Sequence, residues 1–349
     1  MVTFTLDPAQ ALRETLAAGG YQQVVALADT NTQQLLPRLA EALAEAPVIT
    51  INAGDQHKTI DSACHVWHEL QQAGATRHSV LVNVGGGMVT DMGGFVATTY
   101  KRGMAFINVP TSLLGAVDAA IGGKTGVNFD GLKNQVGAFA QAAEVIISPS
   151  FFDTLPLEER LSGFAEMVKH ALLNSDSALS HVLRLDVTAP DVPNASTLLE
   201  LLRESVQVKQ SYVEADPLES GSRKALNLGH TVGHACESLM LERGTPVSHG
   251  TAVAWGLVAE LVLSHMTLQF DSAQLHKVAN MVRSRYVAPE IECRHYDQLL
   301  QLMRQDKKST SGEINCTLMR RCGQPVTDCT IDPEEMRTAL DIFRDLMGV

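Results

Sequence analysis

Three histidines are the residues of this chain best suited to chemistry. The segment ALNLGHTVGHACESLMLERGTPVSHG, residues 225–250, carries His230, His234 and His249. Four residues separate His230 from His234, so on a helix both imidazoles share one face. His249 follows a turn marked by Gly244 and Pro246 and can return to the same pocket. Neutral imidazole is the commonest metal ligand, and two or three with a carboxylate make an open zinc-type site. The zinc-protease pattern needs Glu directly after its first His, and that position is Thr231 here. By spacing alone the three read equally well as ordinary helix histidines. Cys236 lies between His234 and Glu237 and is expected to be a packed thiol, because a fourth soft ligand would close the site.

A second chemistry-bearing stretch is VNVGGGMVTDMGGF, residues 82–95, where a buried strand ends in Gly85, Gly86 and Gly87 and a helix starts near Met88. Glycines there let backbone approach a phosphate, and the helix N-terminus offers N–H groups and a positive dipole end. The dinucleotide fingerprint would put glycine at position 90, which is Thr90, so a tight turn is the competing reading. VPTSLLGAVDAAIGGKTGVNFDGLKNQVGAFA, residues 109–140, then gathers Asp118, Lys124, Asn128, Lys133 and Asn134 among glycines. Two Lys and two Asn with little amphipathic order suggest an anion or polyol cradle rather than a solvated face. Arg102 adds a fork-shaped donor.

The elements that must carry these residues fall into two halves. Short β-rich runs at 23–29, 47–52, 79–84, 105–110 and 144–149 alternate with helical patterns at 32–45 and 59–73. That alternation predicts a Rossmann-like α/β domain with a mostly parallel sheet covered on both faces, and such sheets bind ligands at strand C-termini. Beyond about residue 155 the patterns are helical, at 156–173, 195–214, 225–241, 250–268 and 272–284, with a small β-hairpin around 313–319. The expected domains are therefore 1–155, α/β, and 156–349, all-α.

Composition narrows the function classes. At 349 residues, 45% hydrophobic and 19% charged, the chain can build two cores of ordinary globular character. A net charge of −12 argues against nonspecific binding to nucleic acid or an anionic membrane, so an anionic substrate needs a local basic cluster. No apolar run is expected to approach the roughly 20 residues that span a bilayer, and the first ten residues lack a signal-peptide pattern. Six scattered cysteines form no CxxC pair and read as reduced thiols of a cytoplasmic protein.

GGGMVTDMGGFVATTYKRG, VPTSLLGAVDAAIGGKTGVN, LSGFAEMVKHAL, NLGHTVGHACES and SHGTAVAWG, in this order, resemble the 3-dehydroquinate synthase family of the shikimate pathway. The resemblance implies a nucleotide-binding α/β domain, a helical domain, an active site in the cleft between them, and a homodimer. It also implies tightly held NAD and one divalent metal, zinc or cobalt, with Glu166, His230 and His249 as ligands. His170, four residues after Glu166, is a competing ligand by spacing and is read as structural. For NAD it points to Asp55, Lys58, Gly86, Gly87, Asp91, Thr111, Ser112, Lys124, Lys133 and Thr154. For substrate and catalysis it points to Arg102, Asp118, Lys124, Asn134, Lys169, Lys209, Arg223, Asn227, His234 and one lysine of the pair Lys307 and Lys308. The chain departs from the family pattern at Ala53, at Asp55 where Glu is usual, at Thr90 where Gly is usual, and at Ser112 where Thr is usual.

The implied substrate is a phosphorylated keto acid, 3-deoxy-D-arabino-heptulosonate 7-phosphate. The implied sequence is oxidation at C5, β-elimination of phosphate, reduction, ring opening and intramolecular aldol closure, with no net redox change. Rival readings are another sugar phosphate cyclase acting on sedoheptulose 7-phosphate, a metal-dependent polyol dehydrogenase, and a non-catalytic metal- or nucleotide-binding protein.

Overall fold

The structure, a computed structural model, describes residues 1–130, 132–189, 194–305 and 313–349. Two compact units emerge, one formed by Met1–Leu155 with Asp191–Val206, the other by Pro156–Pro190 with Gln207–Val349.

In the first unit β1 (Val2–Phe4), α1 (Pro8–Gly19), β2 (Gln23–Asp29), α2 (Ala40–Leu43), β3 (Val48–Ile51), α3 (Ile60–Gln72), β4 (Ser79–Gly85), α4 (Gly87–Thr99) and β5 (Ala105–Pro110) alternate along the chain. After an antiparallel hairpin, β6 (Lys124–Phe129) and β7 (Leu132–Phe139), comes β8 (Glu144–Ile147). Six parallel strands form one sheet in the order β1-β8-β5-β4-β2-β3. Strands β2 and β5 span the predicted residues, and β4 is buried throughout, as a parallel strand covered on both faces should be.

Three details differ from expectation. Pro37 lies within the predicted helix 32–45, which becomes a 3-10 segment, Gln33–Leu39, followed by the short α2; proline removes a helical donor and crowds the preceding turn. The short edge strand β1 was not anticipated. The Gly-rich stretch, for which no regular element was expected, is largely the β6–β7 hairpin, whose Thr125 methyl lies 2.5 Å from where a Cβ on Gly94 of α4 would stand.

The second unit contains α5 (Leu157–Asn174), α6 (Asp176–Leu183), the part of α7 (Ala195–Ala215) from residue 207, α8 (His230–Glu242), α9 (His249–Leu268), α10 (Ser272–Arg285) and α11 (Tyr296–Gln305). The hairpin of β9 (Ile314–Arg321) and β10 (Gln324–Ile331), longer than foreseen, and α12 (Pro333–Met347) complete it. Helix α9 is buried from Gly250 to Ser264 and is mostly apolar around its circumference, with Glu260 a buried charge within it. Its 20 residues are long and apolar enough to cross a membrane, which corrects the expectation that no such run exists; most of that window is buried inside the unit.

The predicted helix 225–241 is broken. A 3-10 turn, Ser222–Asn227, ends at an extended Leu228, Gly229 takes a left-handed φ of 79°, and α8 begins on His230. Glycine adopts that conformation without steric cost, and a Cβ here would also lie 2.8 Å from the Leu257 side chain.

Candidate active site

Glu166 sits in the middle of α5, within a run of buried residues from Leu161 to Leu173. Contact with α9 is close: Gly250 donates its N–H to the Ser162 hydroxyl at 3.2 Å, and a Cβ on Gly250 would lie 2.2 Å from the Ser162 carbonyl oxygen. One turn further along α5, Glu166 comes level with His249, the first residue of α9. Its Oε1 lies 3.5 Å from His230 Nε2 and 3.7 Å from His249 Nε2. The rings of His230, His234 and His249 pack with centroids 5.3, 5.5 and 5.8 Å apart, and their nitrogens also form a potential three-histidine set.

Two contacts fix how the outer histidines face inward. His230 Nδ1 is 3.1 Å from the Leu228 carbonyl oxygen. A carbonyl only accepts, so Nδ1 carries the proton and, in the neutral ring, Nε2 presents its lone pair toward Glu166. His249 Nδ1 is 3.3 Å from Glu237 Oε2. Burial works against a charged His249, but the Glu166 and Glu237 carboxylates outweigh it and hold its pKa up at about 9. A cation bound at Nε2 displaces that proton.

This donor set fits a divalent metal. One carboxylate and two imidazoles are the ligands of open zinc-type sites, and donors about 2.0–2.1 Å from a tetrahedral ion stand about 3.3 Å from one another. The observed 3.5 and 3.7 Å are close to that spacing. Cys236 is fully buried, and that burial pushes its thiol up to about 12, the environment of a packed thiol. His170 is fully buried one turn beyond Glu166 on α5.

Buried positive charge is concentrated in the second unit. Among the described residues only four Lys or Arg side chains are buried: Lys58, Lys169, Lys209 and Arg223. Three of these belong to the second unit. Lys169 pairs with Glu166 Oε2. Arg223 and Asn227 ride on the 3-10 turn, which Asp216 holds by accepting the N–H groups of Ser220, Gly221 and Arg223 at 3.0, 2.6 and 3.1 Å. Arg223 donates to the Pro217 carbonyl and Asn227 to Glu219. Cations are seldom buried unless paired with an anion, whether protein or ligand.

The first unit assembles a different cluster. Gly86 and Gly87 lead from β4 into α4, where a Cβ would stand 3.2 Å from Ser112 Oγ and 2.9 Å from Ala119 Cβ respectively. Ser112 Oγ accepts from Gly115 N at 3.0 Å, and Thr111 N donates to Gly85 O. Asp118 lies on the single π-turn Gly115–Ala119, a distortion frequent at functional sites. Thr90, which replaces the usual glycine, is buried and donates its hydroxyl to the Gly87 carbonyl. Buried Lys58 donates to Asp91 at 2.5 Å and to Asn134 at 2.6 Å. Asn128 donates to Asp55, its own carbonyl accepts Asn134 N, and Lys133 Nζ lies 3.7 Å from Asp55. Lys124, at the head of β6, and Thr154 are exposed.

Arg102 is not gathered into this cluster. It follows the C-terminus of α4 in a left-handed conformation (φ 67°), and a helix of 13 residues puts it about 20 Å from the glycine turn. Lys307 and Lys308 lie outside the described residues. Sequence reasoning missed Glu237, Asp216 and Glu260. Glu237 was findable, because it falls two turns after His230 on the same helix face; the other two act on backbone N–H groups and leave no pattern.

The chain matches the family model described as 3-dehydroquinate synthase N-terminal over residues 48–162 and that described as 3-dehydroquinate synthase C-terminal over residues 163–309. It is 43% identical over 351 aligned residues to a 3-dehydroquinate synthase of Parabacteroides distasonis, covering 100% of this chain and 99% of that one. Among solved structures, it is similar in fold to a 2-deoxy-scyllo-inosose synthase complexed with carbaglucose-6-phosphate, NAD+ and Co2+, with TM-score 0.85, 20% identity and coverage of 99% and 96%. It is also similar to a 2-epi-5-epi-valiolone synthase from Streptomyces hygroscopicus with NAD+ and Zn2+ bound, with TM-score 0.82, 25% identity and coverage of 99% and 96%.

Proposed function

The chain belongs to the 3-dehydroquinate synthase family, and from that premise we propose that it converts 3-deoxy-D-arabino-heptulosonate 7-phosphate to 3-dehydroquinate and phosphate. It does so with NAD and one divalent zinc or cobalt ion. When bound, NAD supplies a reversible hydride transfer at the C5 carbinol and the metal supplies Lewis-acid polarisation of the substrate hydroxyls.

The residues of the second unit do the rest. Glu166, His230 and His249 hold the cation, with Leu228 and Glu237 fixing the two rings. Lys169, Lys209, Arg223 and Asn227 receive the phosphate and carboxylate of the substrate, and their burial strengthens each charge–charge contact. In the first unit the turn at Gly86 and Gly87, with Thr111 and Ser112 beside it, receives the dinucleotide pyrophosphate; Asp55, Lys58, Asp91, Lys124, Lys133 and Thr154 complete the cofactor set. Asp118, Asn134 and His234 complete the substrate set. The departing phosphate can take the proton released in the elimination, so no separate general base is required. Arg102 belongs to the same substrate set by family resemblance, standing after the C-terminus of α4 and apart from the glycine turn. The chain acts as a homodimer, which light scattering checks.

One observation carries this reading: a fully buried carboxylate faced by two histidine Nε2 atoms, in a unit that also buries three cations. The test is phosphate release from the heptulosonate with and without a chelator, followed together with nicotinamide absorbance. Chelator-sensitive phosphate release without net NADH is expected. Release from sedoheptulose 7-phosphate alone would assign another cyclase, and NADH accumulation on a polyol would assign a dehydrogenase.

A further inference from the structure

Helices α8 and α9 form an antiparallel pair with histidines at the start of each. Their contacts run in order: Glu237 meets His249, Gly233 meets Ala252 and Val253, and Gly229 meets Gly256 and Leu257. The approach is as close as backbone allows, since a Cβ on Gly256 would lie 1.9 Å from the Gly229 carbonyl oxygen. A helix N-terminus normally has its first N–H groups satisfied by a Ser, Thr, Asp or Asn cap. The cap position of α8 is Gly229, which has no side chain to offer.

The missing acceptor comes from the other helix. Glu260, fully buried about three turns along α9 from His249, accepts Gly229 N at 2.6 Å and Val232 N at 3.1 Å. These two N–H groups bracket His230. The same turn contains the Leu228 carbonyl that sets the His230 tautomer. A carboxylate at a helix N-terminus also opposes the positive end of the helix dipole, which otherwise disfavours a cation bound at the first residue.

We infer that Glu260 is a positioning residue for the metal centre: by capping α8 from α9 it fixes His230 against Glu166 without touching the cation. Glu237 fixes His249 by direct contact at the opposite end of the helix pair. The helix pair is thus pinned by one carboxylate at each end, with the histidines between. The inference rests on the metal-site reading above and adds a residue that no motif marks.

The test is cation affinity in Glu260→Gln, with Co2+ as probe. The side-chain amide keeps the shape and one acceptor, but turns a donor toward one of the two N–H groups. Co2+ affinity should fall roughly ten- to hundred-fold, the usual effect of losing an outer partner of a metal ligand, and the visible Co2+ spectrum should change. Wild-type affinity and spectrum in the folded variant would overturn the inference. If Glu260→Gln does not fold, amide exchange in the wild type decides. Co2+ should slow Gly229 and Val232 more than the amides of residues 236–242, and uniform slowing along α8 would overturn it. His230→Ala separates the two levels. Loss of Co2+ binding there with no effect in Glu260→Gln sinks the inference alone, whereas a wild-type chain that binds no Co2+ sinks the site reading itself.

Discussion

The two clusters are built on opposite plans. In the second unit the work falls to charged side chains forced out of water: Glu166, Lys169, Lys209 and Arg223 are all buried. In the first unit it falls largely to backbone shape, with glycines at a strand end and a hairpin whose lysines, Lys124 and Lys133, stand exposed. A buried charge is expensive unless compensated, so each one in the second unit needs a partner of opposite charge or a set of hydrogen bonds. An exposed lysine costs little and can be lost with little consequence. Substitutions should therefore bite hardest in the helical unit.

The largest effect should come from Glu166→Gln. Losing the carboxylate that both histidines face should remove the bound cation and lower phosphate release by roughly three powers of ten, since Lewis-acid assistance is worth several kcal/mol. Full activity in a metal-analysed variant would erase the distinction between the clusters. Lys58→Met comes next, as the one buried cation among the described residues of the first unit. It leaves Asp91 and Asn134 without their shared donor and should cost about 3 kcal/mol of stability, read from denaturant midpoints. Lys124→Ala should weaken NAD retention more modestly, and unchanged kinetics would return it to an ordinary surface lysine.

The smallest effect concerns pH. Burial raises the Asp216 pKa, but three backbone N–H groups and the Ser220 hydroxyl outweigh it and hold the carboxyl at about 2, below its ordinary 3.8. A lowered folded-state pKa means stability that is present above about 3.8 and lost as pH falls toward 2. Asp216→Asn should flatten the acid limb of the stability curve over that window. An unchanged acid limb would mean that the loop carrying Arg223 is held by other contacts.

These contrasts also explain what the sequence disclosed. Parallel strands buried on both faces write themselves as apolar runs, so β2 and β5 were readable to their end residues. The β6–β7 hairpin was not, because glycines at 126 and 137, where a Cβ would strike the opposite strand, hide its strand pattern. The start of α8 was hidden for a related reason: its cap lies in another helix, at Glu260, and local spacing cannot report a partner 31 residues away. Arg102 stands at the other end of α4 from the glycine turn, a placement that its motif alone does not report.

The central claim is that Glu166, His230 and His249 hold one cation. X-ray absorption of the zinc-loaded chain tests it most directly. The account predicts one zinc per chain, nitrogen and oxygen ligands at about 2.0–2.1 Å, and scattering from two imidazoles. Three imidazoles, a sulfur at about 2.3 Å, or unaltered coordination in Glu166→Gln would contradict it.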